Sequence, residues 1–345
     1  MSVLPVPALT LTRSRLCALL GAAQGKRIAV IGDAMLDIYL HGDVERISPE
    51  APVPVVRVHE RRLALGGAAN VAQNVVAMGA ASTLVSAVGR DANGTLLREM
   101  LSAVADNGAG LIDVSRPTTT KTRVVARVQQ VVRVDEEDDA DLSPADAQRL
   151  MTTAREVIAR SDALILEDYN KGVLVPAIIE DSIARAQHHG IPVVVDPKFR
   201  NFFSYHGATV FKPNRRELEA ALGAAVVLED PDALPVTLQR LGVANLLLTL
   251  GEQGMVLVSG DSGSHRVPTT ARAVYDVVGA GDTVTAYLAA MLAAGATARE
   301  AAEIANVAAG VEVAKLGAAT VSTDEVIDAF DEYRERSAAS GPAVV

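Results

Sequence analysis

The chain has 345 residues, 49% of them hydrophobic and 21% charged, the balance of a folded chain and not of a disordered one. A formal net charge of −10 excludes a broad nucleic-acid binder, which would concentrate basic residues on one face, but leaves room for a few cations around an anionic small molecule. The single cysteine, Cys17, excludes an intramolecular disulfide and a thiolate metal cluster.

No segment approaches the ~20 apolar residues of a membrane span, and Arg13 and Arg15 stand where a signal peptide would need its apolar core. A cytoplasmic protein with no membrane partner is expected. The run from Arg27 through Ile28-Ala29-Val30-Ile31-Gly32 to Asp33 reads as a buried strand ending in a polar turn. Residues 52–58 and 121–134 alternate β-branched with polar or charged side chains, the pattern of half-exposed antiparallel strands. They are expected to form a small projecting sheet, a lid or dimer surface, with strands near 41–60 and 116–135. The acidic run 135–139 reads as a solvated turn.

Amphipathic stretches at 145–160 and 176–189 alternate with apolar runs at 163–166, 193–195, 209–211 and 246–249. Strands alternating with helices indicate an α/β fold with a mostly parallel sheet covered on both faces. Ligands bind beyond the carboxyl ends of such strands, so Asp33, Asp168 and Asp196 should share one edge. A single domain is expected over 11–335, followed by a loose tail at 336–345.

The strongest motif is Asp276-Val277-Val278-Gly279-Ala280-Gly281-Asp282-Thr283, leading into an Ala- and Leu-rich helical stretch. Small residues there let successive N–H groups converge on one point at a helix start, an anion site. Asp282 opposes a plain phosphate loop, but suits an anion that arrives with a hydroxyl about to lose its proton. A glycine turn with Asp as N-cap is the structural alternative. A second motif, Gly66-Gly67-Ala68-Ala69-Asn70, permits close backbone approach and offers an amide to a hydroxylated ligand.

With Gly32-Asp33-Ala34-Met35-Leu36-Asp37, these two motifs in this order resemble the signatures of the ribokinase (PfkB) family of carbohydrate kinases, over about residues 27–330. The resemblance implies a ribokinase-like three-layer α/β/α fold with a β-sheet lid. It places Asp33, Asp37, Gly66, Gly67 and Asn70 on sugar hydroxyls. It places Gly279, Ala280 and Gly281 on the migrating phosphoryl group, with Asp282 as the base. Lys212-Pro213-Asn214-Arg215-Arg216-Glu217 resembles the family's Asn-x-x-Glu motif, so Asn214 and Glu217 are expected to position Mg2+ and phosphate, Glu217 through water; a capping box is the structural alternative. Thr249, Gly251 and Gly254 match the nucleotide loop. Lys198 is a further nucleotide-side residue, Asn306 a position near the adenine. Asp276 opens a segment that often holds a monovalent cation, so K+ joins ATP and Mg2+ among the implied cofactors.

Within the family, Glu167-Asp168-Tyr169-Asn170-Lys171-Gly172, Asp196-Pro197-Lys198, Val274-Tyr275-Asp276-Val277 and Ala314-Lys315-Leu316-Gly317 are similar to the bacterial D-glycero-β-D-manno-heptose 7-phosphate kinases of lipopolysaccharide core synthesis. The implied reaction phosphorylates the anomeric hydroxyl to give heptose 1,7-bisphosphate, and the length suggests the stand-alone kinase form. A phosphorylated sugar needs a cation at its far end. Lys171 follows a strand at the ligand edge, and Arg123, Arg127 and Arg133 alternate on one strand face; Lys171 and Arg133 are the candidates, with solvation or a salt bridge the alternative for the row. A ribose, fructose or nucleoside kinase would share Asp282 with an unphosphorylated substrate, and a carbohydrate sensor would lack the base. The alternating lid strands need apolar cover, so a homodimer is expected.

Overall fold

The computed structural model describes residues 9–104, 108–127, 129–228, 233–260, 263–271, 274–317 and 319–339. In chain order the strands are β1 (Arg27–Gly32), β2 (Ala34–Ile47), β3 (Pro54–Gly67), β4 (Ala81–Gly89), β5 (Leu111–Val114), β6 (Thr120–Ala126), β7 (Gln129–Glu136), β8 (Ala163–Glu167), β9 (Val193–Asp196), β10 (Val210–Phe211), β11 (Asn245–Thr249), β12 (Met255–Ser259) and β13 (Gly263–Val267). The helices are α1 (Arg13–Ala23), α2 (Ala68–Ala77), α3 (Ala92–Ser102), α4 (Pro144–Ile158), α5 (Pro176–His188), α6 (Arg215–Leu222), α7 (Ala233–Leu241), α8 (Ala280–Ala293), α9 (Ala298–Glu312) and α10 (Thr323–Ala339).

The main sheet has the order β13-β12-β11-β10-β9-β8-β1-β4-β5. It is parallel from β5 to β11 and turns antiparallel at β12 and β13. Its central strands β1, β8 and β9 are apolar on both faces between their ends because both faces are covered, with Glu167 and Asp196 closing β8 and β9. Ile28 and Val30 of β1 enter one core with α1, α2, α8, α9 and α10, while Ala29 and Ile31 enter the other with α4, α5 and α7. The mostly parallel α/β architecture expected from the alternating pattern is therefore present.

A second sheet, β3-β2-β6-β7, projects from the carboxyl edge. It is mixed, not antiparallel throughout: β2–β3 and β6–β7 are antiparallel, but β2 and β6 run parallel. The reason is topological. β2 follows β1, and β6 follows β5, so both leave the same edge of the main sheet in the same direction. The polar turn expected at Gly32-Asp33 is a single residue, Asp33, between β1 and β2. The stretch 121–134 is a hairpin that reverses at Arg127 (φ 56°). At the other end, α10 continues to Ala339, into the segment expected to be loose; residues 340–345 lie outside the described ones. Among the described residues no helix is long and apolar enough to cross a membrane.

Candidate active site

Strand register aligns Gly32 with Glu167 and Glu167 with Asp196, so the ends of β1, β8 and β9 lie side by side as expected. Asp33, expected on the sugar, has its carboxylate engaged by the protein's own backbone. It is 1% exposed and accepts N–H bonds from Tyr169 (2.8 Å), Lys171 (3.0 Å) and Val173 (3.1 Å). An acid at a strand end can hold a ligand or a loop, and here it holds the loop after β8.

Above this edge α8 begins at Gly279, whose φ of 97° and lack of a side-chain cap leave the first-turn N–H groups without a side-chain acceptor. A residue with a Cβ would be strained in that conformation. The helix dipole and these N–H groups favour an anion. Asp282 lies in this first turn, 6% exposed. Its Oδ2 accepts from Asn70 Nδ2 (2.6 Å) and its Oδ1 from the Tyr169 hydroxyl (2.8 Å). Burial pushes its carboxyl up to about 6, against the pull of these two hydrogen bonds. A carboxylate that titrates just below neutral pH is suited to accept a proton. Asn70 thus joins two motifs 212 residues apart, its amide directed at the base.

Next to the start of α8 sits Lys212, which no motif-based role anticipated. Its ammonium is 2.9 Å from Asp196 Oδ2, the side chains 4% and 8% exposed. A Cβ on Gly281 would lie 3.6 Å from Lys212 Nζ, so a fixed positive charge borders the anion site. Burial opposes that charge, but Asp196 and Glu167 outweigh it and Lys212 is raised. Glu167 completes the cluster. Neither of its oxygens has a hydrogen-bond partner, and burial, then Asp196, then Asp282, hold its carboxyl well above the ordinary glutamate range. One carboxylate oxygen from each of Glu167, Asp196 and Asp282 lies within 4.8 Å of the others, with Asp196 paired to Lys212 and Glu167 biased toward its neutral form.

A cavity of about 690 Å³ opens from Asp282 toward β11 and α9, within the range of small-molecule and cofactor sites. Gly279, Ala280, Gly281 and Asp282 line one end, and Thr249, Gly251, Gly254 and Asn306 the other, with Lys198, Asn214 and Glu217 on the wall. All the expected nucleotide-side residues are therefore brought together. Asn214 and Glu217 also form the capping box of α6: Glu217 Oε2 accepts from Asn214 N (2.8 Å) and Glu217 N donates to Asn214 Oδ1 (2.9 Å). Glu217 Oε1 takes the Lys198 ammonium. Asn306 donates to Pro268 O (2.7 Å). The donor set fits Mg2+, a hard cation that keeps several waters; with both oxygens engaged, Glu217 would act on it through water.

The remaining candidates lie outside this cavity. Asp37 on β2 pairs with Arg123. A Cβ on Gly66 would come within 2.6 Å of Asp37 Oδ2, and Gly67 adopts φ 56° against Asp33 O. Lys171 is bound to Glu137 (2.7 Å) and Arg133 to Asp135 (2.9 Å), so the acidic run 135–139 is an ion-pairing segment and not merely solvated. Asp276 accepts from Val278 N (3.0 Å) and Gly317 N (3.1 Å), bracing two loops. Arg127, in the hairpin turn, faces Asp43 at 3.7 Å and leaves the arginine row.

The pattern of the pfkB family carbohydrate kinases matches residues 26–325. The chain belongs to this family. The kinase is 48% identical over 306 residues to the Bifunctional protein HldE of Pelobacter propionicus, covering 87% of this chain and 62% of that one. It is 44% identical to that of Caulobacter vibrioides over 88% and 63%, so it spans less than two thirds of the length of these relatives. Among solved structures, phosphofructokinase-2 from Escherichia coli in complex with potassium superposes with a TM-score of 0.73 at 19% identity, over 90% of this chain and 99% of that one, a likeness of fold. The kinase is an ATP-dependent sugar kinase by family, and the cavity beside α8 is where its nucleotide-side residues converge.

Register adds residues that sequence patterns alone did not connect. Arg62, Tyr39, Arg123 and Arg133 form one row across the lid. The Arg62 and Arg123 guanidinium groups lie 6.0 and 5.3 Å from the Tyr39 ring centre, and among the described residues no carboxylate pairs with Arg62. Alternation along single strands gives Arg123 and Arg133, but adding Arg62 requires the β2–β3 pairing.

Proposed function

We propose that the kinase phosphorylates the anomeric hydroxyl of D-glycero-β-D-manno-heptose 7-phosphate, giving heptose 1,7-bisphosphate in the cytoplasm. The observation that carries the chemistry is the buried Asp282 carboxylate at the uncapped start of α8, beside the Lys212 ammonium. ATP with Mg2+ supplies the phosphoryl group when bound. Asp282 takes the proton of the sugar hydroxyl as that oxygen attacks phosphorus in line. The N–H groups of Ala280 and Gly281, with Lys212, hold the charge on the transferring oxygens. Asn214 and Glu217 would hold Mg2+, through water, to supply charge neutralisation at the phosphates; Lys198 neutralises Glu217, and Thr249, Gly251, Gly254 and Asn306 line the nucleotide cavity.

The phosphorylated substrate is supported by the similarity of residues 167–172 and 314–317 to heptose 7-phosphate kinases, by the HldE relatives, and by the lid arginine row. On the sugar side, Asp37, Gly66, Gly67 and Asn70 take the hydroxyls. Arg133 and Lys171 exchange Asp135 and Glu137 for the distal phosphate, with Arg62 beside them. Asp276 with the neighbouring loop is the proposed monovalent-cation position. Val132 and Val134, 47% and 49% exposed on the lid face opposite Arg133, are the apolar surface that a second subunit would cover in a homodimer.

The test compares catalytic efficiency for heptose 7-phosphate with that for unphosphorylated heptose, by 31P NMR and a coupled ADP assay. A preference for the phosphorylated sugar and a 1,7-bisphosphate product are expected; preference for the unphosphorylated sugar rejects the substrate and leaves a general sugar kinase.

A further inference from the structure

Tyr169 touches both halves of the site, and the motifs give it no role. Its hydroxyl donates to Asp282 Oδ1 at 2.8 Å while Asn70 holds the other oxygen. Its ring carbon Cδ2 lies 3.5 Å from where a Cβ on Gly67 would stand, and Lys198 Nζ is 5.1 Å from the ring centre on the cavity side. Its backbone is anchored by the buried Asp33 carboxylate, which accepts from the N–H groups of Tyr169, Lys171 and Val173. The ring is a partition between the glycine pair and the nucleotide cavity.

We propose that Tyr169 is the positioning residue of the base, holding the Asp282 carboxylate in one orientation and in its ionised form, with Asp33 fixing the loop that carries it. A donor aimed at a carboxylate stabilises the charged form over the neutral one. Tyr169 can keep this role throughout the working range, because burial, then the Asp282 charge, raise its own hydroxyl well above the ordinary tyrosine value. Each carboxylate oxygen has a second acceptor site, so the sugar hydroxyl can be received while the Tyr169 bond persists. The sugar O–H proton then passes to Asp282 as the O–P bond forms and the bond to ADP breaks, with Tyr169 unchanged.

This rests on Asp282 being the base, so the decisive measurement needs no substrate. The carboxyl groups of 13C-labelled aspartates are titrated by NMR in the unliganded full chain, with Asp282→Asn to assign the resonance and Tyr169→Phe as the test. Asp196, Glu167, Lys212 and Glu312 also act on Asp282 and are common to both proteins, so the difference reports the hydroxyl. The Asp282 midpoint is expected to rise by about one pH unit in Tyr169→Phe, and the acid limb of kcat against pH to move with it while KM for ATP stays unchanged. An unchanged midpoint overturns the proposal, as does a loss of kcat that is uniform with pH. A wrong sugar assignment leaves the titration result intact, and full turnover by Asp282→Asn would overturn the base assignment while the measured coupling stood.

Discussion

Replacing Lys212 with methionine keeps the length of the stem and removes the ammonium that neutralises Asp196. The two side chains are almost fully buried, and Nζ lies 2.9 Å from Oδ2. The variant therefore leaves a carboxylate out of water beside Glu167. Removing one partner of a buried pair costs about 3–5 kcal/mol. Lys198 also acts on Asp196, which places the expected loss near the lower end, about 3 kcal/mol. Substituting Asp196→Asn in the same chain removes the stranded charge, and the double variant is expected to recover about 2 kcal/mol of that loss. Urea unfolding followed by circular dichroism reads both values from the midpoints at constant slope. A loss under about 1 kcal/mol for Lys212→Met, the scale of an exposed pair, would refute the reasoning, as would a double variant no more stable than the single one.

Glu167→Gln probes the orphaned carboxyl. The folded state holds its proton more tightly than the unfolded chain, so its contribution to stability is full below the ordinary glutamate range and is lost as pH rises through the raised folded value. Relative to wild type, the glutamine variant should gain stability as pH rises from 5 to 8 in urea midpoints; a pH-independent difference would contradict the burial argument. Arg133→Ala and Lys171→Ala should each weaken heptose 7-phosphate by at least about tenfold with ATP affinity unchanged, and equal losses for phosphorylated and unphosphorylated sugar would remove them from phosphate recognition. Light scattering at micromolar concentration should give the mass of two chains; a one-chain mass would remove the homodimer.

The parallel sheet is legible in the sequence because its strands are apolar on both faces and the intervening stretches are amphipathic. Asp282 stands out in the sequence because small residues and an acid at a helix start have few structural uses together, whereas Lys198, Asn214, Glu217, Thr249, Gly251, Gly254 and Asn306 are reached only through the resemblance to the family. Asp33 shows what a strand-end position leaves out. Its position at a strand end is right for a ligand acid, and only the fold of residues 169–173 shows that its carboxylate is buried and accepts three backbone N–H bonds from the loop after β8. Lys212, Glu167 and Tyr169 gain their roles from three-dimensional proximity to Asp196 and Asp282, which no periodicity encodes. The parallel pairing of β2 with β6 follows from where two distant strands leave the main sheet, and alternation within each strand carries no sign of direction.

The most direct test of the account is the turnover of Asp282→Asn at saturating ATP and sugar phosphate, measured across pH beside the wild type. The amide keeps the shape and cannot accept the hydroxyl proton, a role typically worth about 10²–10⁴ in rate. Because the base must be ionised to work, wild-type kcat/KM should fall as pH drops through the Asp282 value of about 6. The account predicts a loss of that size in the variant, with ATP and sugar binding retained. Turnover within about tenfold of wild type, below the range for a lost general base, would contradict it.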